Sequence, residues 1–100
     1  MAFLSFDSGP RAGETVTLDK DKTVFGRHPS TDCVISHPAV SRRHFHVEHN
    51  GGKYLLVDLE SGNGTFVNGK RVSWVELKDG DQVRVGPFTL MFDSAVHTTE

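Results

Sequence analysis

Three short polar stretches carry the residue types with chemistry to offer: "GRHPSTD" at 26–32, "SRRHFH" at 41–46 and "SGNGT" at 61–65. Between them they supply the guanidinium groups of Arg27 and Arg42, the hydroxyl of Ser41 and the amide of Asn63. A guanidinium presents a forked, charge-assisted pair of donors that matches two phosphate oxygens, and hydroxyl and amide groups complete the hydrogen bonding of the rest. Brought together, the set makes an anion site suited to a phosphate.

Rival chemistries are weaker. Ser41, His44 and Asp58 can be written as a hydrolase triad, but the chain has no nucleophile-elbow pattern. Ser41 and His44 lie three residues apart on a stretch read as extended, which puts a direct hydrogen bond out of reach. No catalytic residue is expected, and Asp58 reads as a strand-end hydrogen-bonding group. His44 and His46 share one strand face, yet zinc needs further ligands that the neighbourhood does not offer, so no metal is expected. Cys33 is the single cysteine; it excludes an internal disulfide and reads as a small buried residue. Asn63-Gly64-Thr65 fits the N-glycosylation pattern, which carries no weight without a secretory signal.

Whatever binds at these stretches must be positioned by strands. The β-rich runs are "AFLSF", "ETVTL", "TVFG", "CVI", "FHVEH", "KYLLVDL", "TFV", "QVRVG" and "FTLMF". Gly, Pro, Asn, Asp and Ser separate them at the spacing of an all-β sandwich or barrel. Alternation such as Val16 with Leu18, or Val83 with Val85, gives each strand one buried face. No segment sustains a period of 3.6, so helices are not expected. Each polar stretch falls at a strand end, and loops at one end of a sandwich converge on a composite site. The run "VSWVELKDG" reads as a loop, with Trp74 left open between core and contact.

One hundred residues, 36% hydrophobic and 24% charged, make a single domain of ordinary size. The reading sets it at 3–93, with 94–100 a polar tail expected to fray. A net charge of -2 argues against general adhesion to nucleic acid or to an anionic membrane. Even so, Arg27, Arg42, Arg43, Lys70 and Arg71 cluster beside turns. Arg43 and Lys70 read as solvated charges, the latter with Arg71 on an exposed edge. No run approaches the ~20 apolar residues of a membrane span, and a cytoplasmic or otherwise intracellular location is expected.

Gly26-Arg27, Ser41-Arg42-x-His44, Asn63-Gly64-Thr65 and Asn68-Gly69, in this order and with these gaps, resemble a forkhead-associated (FHA) domain. The resemblance spans essentially the whole chain. It implies a sandwich of two antiparallel sheets of short strands, FHA/SMAD-like, whose loops at one end bind a phosphothreonine peptide. No catalysis, metal or cofactor is implied. The partner would be a phosphothreonine-containing protein, a Ser/Thr kinase or its substrate among them, met by a monomeric domain. The alternative is a phosphate-independent interaction scaffold of the same fold.

Carried over by position, the resemblance makes Arg27 and Ser41 the main phosphate ligands, with Arg42 flanking them. Asn63 would hold the peptide backbone, Ser61 and Gly62 belong to its loop, and Asn68 would be a further peptide contact. Gly26, His44 and Gly64 would be architectural. Of the two Asn-Gly pairs, 68–69 then serves a hairpin and 63–64 the ligand. Gly62 departs from the pattern, since many relatives carry Thr there. Losing a side-chain hydrogen bond to phosphate costs about 1.5–3 kcal/mol, although a glycine N–H can itself face an anion.

Overall fold

The computed structural model describes residues 2–94. Alternating apolar residues drive the chain into eleven short strands: β1 (Phe3–Phe6), β2 (Thr15–Thr17), β3 (Lys22–Gly26), β4 (Cys33–Val34), β5 (Phe45–Asn50), β6 (Lys53–Asp58), β7 (Thr65–Val67), β8 (Lys70–Val72), β9 (Trp74–Glu76), β10 (Gln82–Val85) and β11 (Phe88–Asp93). They form a six-stranded sheet, β2-β1-β11-β10-β7-β8, and a five-stranded sheet, β4-β3-β5-β6-β9. All pairings are antiparallel except β3 with β4, which is parallel. That pair departs from the expected antiparallel sheets because β4 follows a wide connection at 27–32 rather than a hairpin.

The inward faces bury Leu4, Phe6, Phe25, Phe45, Leu56, Val83, Leu90 and Phe92. Each such side chain contributes roughly 1.5–3 kcal/mol by leaving water. Phe25 and Phe45 stack at 4.5 Å between centroids, joining β3 to β5 inside the core. Cys33 is buried, and that burial pushes its thiol pKa up.

One element escaped the sequence reading, and the return strand of the expected 68–69 hairpin is present. Within the run taken as a loop, Trp74–Glu76 forms an edge strand on β6, while Lys70–Val72 pairs with β7. Trp74 is not core: it is 66% exposed and stands opposite Val57 on the outer face. The Asn68-Gly69 pair does make the β7–β8 turn, with φ of 53° and 85°, the positive values that a two-residue primed turn requires.

Ser94 donates through its N–H and hydroxyl to the Asp79 carboxylate. The rest of the expected tail, 95–100, lies outside the described residues. Among the described residues no helix is long and apolar enough to cross a membrane.

Candidate functional site

The site begins with a close backbone approach. The Arg27 N–H donates to the Ser41 carbonyl at 2.9 Å and the His28 N–H to the Arg42 carbonyl at 3.0 Å, so the segment after β3 lies directly on the bend before β5. A Cβ on Gly26 would stand 2.1 Å from the Arg42 carbonyl oxygen. No side chain fits there.

His44 ties that bend to the next loop. Fully buried, its Nδ1 accepts the Ser41 N–H at 3.0 Å, which leaves Nε2 to donate to the Gly64 carbonyl at 2.8 Å. The bond to Ser41 curls residues 41–44 into a bend, in place of the extended stretch expected. Arg42 and Arg43 consequently do not alternate across a strand; both are exposed. The Ser41 hydroxyl oxygen accepts the Gly62 N–H at 3.0 Å and makes no bond to His44. This arrangement provides no hydrolase relay.

Asp58, at the end of β6, organises the 59–64 loop. Its carboxylate accepts the Ser61 hydroxyl at 2.6 Å, the Ser61 N–H at 3.2 Å and the Thr65 hydroxyl at 2.8 Å. Partial burial works to raise the Asp58 pKa, but the bonds from Ser61 and Thr65 outweigh it and hold the carboxyl below its ordinary range. The Ser61 hydroxyl oxygen in turn accepts the Gly64 N–H at 3.0 Å. Pinned on both sides, Glu60 holds a φ of 57°, a left-handed conformation that a non-glycine residue adopts only when its surroundings enforce it.

On this frame five of the sequence-predicted residues come together. Arg27 spends its Nε on the Val40 carbonyl at 2.9 Å, so its terminal amino groups remain as the fork. Asn63 donates from Nδ2 to the Ala39 carbonyl at 2.8 Å, bridging the 36–41 and 59–64 segments. Ser41 and Gly62 are linked as described, and Arg42 lies exposed alongside. Among the described residues, Arg27, Arg42, Arg43, Lys70 and Arg71 form no ion pair. Arg27 and Arg42 therefore bring cationic charge to the site with no ion pair among the described residues.

Three of the expected positions have their polar groups engaged within the protein. Ser61 is buried, with its hydroxyl donating to Asp58 and accepting from Gly64, so it braces the loop. Asn68 sits at the opposite end of β7 from Asn63; its amide donates to Asp81 at 2.9 Å and accepts the Gln82 N–H at 3.0 Å. Both bonds clamp the hairpin to the start of β10. The Gly62 N–H is occupied by Ser41 and is not directed at an anion.

Arg71 was passed over as an edge charge. A Cβ built on Gly64, whose φ is 89°, would lie 2.7 Å from Arg71 Nε; the guanidinium fills the space that this glycine leaves beside Asn63. The sequence signal for it is the Asn68-Gly69 hairpin, whose register sets residue 71 opposite 66 and diagonal to 64. Among the described residues no group of three or more His, Cys, Asp or Glu is arranged to hold a metal.

The chain is 41% identical over 91 residues to the oxoglutarate dehydrogenase inhibitor of Corynebacterium jeikeium, covering 91% of this chain and 63% of that protein. It therefore spans less than two-thirds of the length of that curated relative. Among solved structures it resembles one studied for phosphothreonine-dependent FHA domain interactions, with a TM-score of 0.87, 33% identity and 98% of both chains covered. A second is Mycobacterium tuberculosis EmbR in complex with a low-affinity phosphopeptide, with a TM-score of 0.88, 31% identity and coverage of 99% of this chain and 26% of that one. Residues 23–86 match the family described as FHA domain, and with most of the sandwich inside that match, the chain belongs to the FHA domain family.

Proposed function

We propose that this domain is a phosphothreonine reader: it captures partner proteins phosphorylated by Ser/Thr kinases and performs no chemistry on them. The supporting observation is the meeting of Arg27, Ser41 and Asn63 on loops fastened by His44, with the Arg27 fork left without an acidic partner among the described residues. Arg27 and Ser41 hold the phosphate, Arg42 flanks it, and Asn63 grips the peptide backbone. With its oxygen accepting from Gly62, the Ser41 hydroxyl has its proton left to donate to a phosphate oxygen. Work on related FHA domains with phosphopeptides and phosphothreonine-dependent partners supports the same reading. So does the name inhibitor on a relative, since capture of a partner suffices for inhibition. Such a reader acts where kinases and their substrates meet, inside the cell.

A second reading rests on Trp74, whose exposed ring beside Val57 gives the five-stranded sheet an apolar contact that needs no phosphate. One titration separates the two. Peptide pools with fixed phosphothreonine, phosphoserine or unmodified threonine are titrated with the parent and with Arg27→Ala. The reader binds the phosphothreonine pool and loses most of that affinity in the variant. Equal binding of modified and plain pools by both proteins would transfer the function to the sheet surface.

A further inference from the structure

Resting on the reader function above, we infer that Arg71 is a specificity-determining residue that selects an acidic side chain close to the phosphothreonine. Arg71 stands opposite Phe66 in the β7–β8 pair, and Phe66 stands opposite Arg84 in the β7–β10 pair. Residues directly opposite one another project from the same sheet face, so the three form one row on the outside of the six-stranded sheet. Within it the two arginines have different surroundings. Arg84 lies over the Phe66 ring, 4.3 Å from its centroid. Arg71 leans the other way, onto Gly64, where a Cβ would come within 2.7 Å of its Nε and 3.0 Å of its Cζ.

That seat is rigid. The Gly64 N–H is held by Ser61 and its carbonyl by His44, at 3.0 and 2.8 Å. Next in the chain is Asn63, itself fixed to Ala39. A peptide backbone gripped by Asn63 therefore passes one residue from a guanidinium that has no acidic partner among the described residues. A carboxylate is the group that pairs with such a cation bidentately. Arg43 is differently engaged, since its charge acts on Asp32 and helps keep that carboxyl below its ordinary range, after the stronger effects of Lys20 and the Val24 N–H.

The test scans one Asp or Glu through the positions on either side of a fixed phosphothreonine in an otherwise neutral peptide. Affinities are measured for the parent, Arg71→Ala, Arg71→Lys and, as the control, Arg84→Ala. At one or two positions the acid tightens binding to the parent about three- to tenfold, in the range of a partly exposed charged hydrogen bond. Arg71→Ala erases that preference, read within each protein as the ratio of its affinities for the acidic and the neutral phosphopeptide. Arg71→Lys retains part of it, and Arg84→Ala retains all. High salt removes it in the parent. An acidic preference that survives in Arg71→Ala, or none in a parent that still binds the neutral phosphopeptide, overturns the assignment of Arg71 alone. Failure of every phosphopeptide to bind overturns the reader function and this inference with it.

Discussion

The Ser41 hydroxyl oxygen accepts the Gly62 N–H across 3.0 Å, joining two loops separated by 21 positions in the chain. This bond orients the hydroxyl and uses the one hydrogen-bond donor that Gly62 possesses. A Cβ built on Gly62 meets nothing nearer than that same oxygen, at 3.9 Å, and the residue's φ is not in the left-handed region. The position is open to a side chain that the sequence does not provide.

Gly62→Thr should therefore strengthen the proposed phosphopeptide binding. An added hydroxyl at the rim brings one more donor toward the phosphate, worth about 1.5–3 kcal/mol when the acceptor is charged, which is tenfold or more in affinity. Stability should also rise by about 0.4–1 kcal/mol, because the unfolded chain loses glycine's freedom. Calorimetric titration of a phosphothreonine peptide into the parent, Gly62→Ala and Gly62→Thr checks the affinity, and calorimetric melting of the same three proteins checks the stability. If Gly62→Ala gains as much affinity as Gly62→Thr, the gain comes from loop stiffening and not from the hydroxyl.

The sandwich was legible because its inward residues are large, apolar and alternating, as at Val83 and Val85. Its β9 edge was not. Trp74 sits on a strand whose side chains are exposed or only partly buried, so burial leaves no pattern to read, whereas the Asn68-Gly69 turn did mark the strand that carries Lys70. For the site, residue types and order marked the loops, whereas hydrogen-bond direction was invisible. Ser61 and Asn68 have the chemistry of ligands, yet Asp58 claims one and the start of β10 the other. Nor does spacing reveal that His44 bends back to the Ser41 N–H, which turns an apparently extended stretch into the floor of the site.

Acid should act on this protein in two separable steps. A bound phosphate has its second pKa near 6, so phosphopeptide affinity should begin to fall as the pH drops through about 6, while the fold holds. The second step involves Asp58, whose carboxyl titrates below its ordinary range in the folded chain. A depressed folded-state pKa contributes stability that is fully present above the unfolded value, about 3.9, and is lost as the pH falls through the folded one. Denaturant midpoints measured from pH 7 to pH 3 should decline below about pH 4 in the parent. Asp58→Asn should start lower at pH 7, because an amide oxygen cannot serve three donors, and should decline less steeply. Parallel curves for the two proteins would show that Asp58 is not responsible for the acid limb.

The core itself carries one correctable flaw. Thr23, on β3 opposite Val47 of β5, is 2% exposed, and its hydroxyl has no hydrogen-bond partner among the described residues. A buried polar group left unpaired costs about 1–3 kcal/mol. Valine has nearly the same shape without the hydroxyl, and as a β-branched residue it suits the strand equally well. Thr23→Val should thus stabilise the domain by about 1 kcal/mol, raising the melting midpoint by roughly 4–8 °C for a chain of this size. Phosphopeptide affinity should be unchanged, because Thr23 lies three residues before Gly26 and points into the core. Calorimetric melting of the parent and the variant at pH 7 decides the matter: a lower midpoint for Thr23→Val would mean that the hydroxyl finds a partner in solution and that the threonine is a working part of the β3–β5 contact.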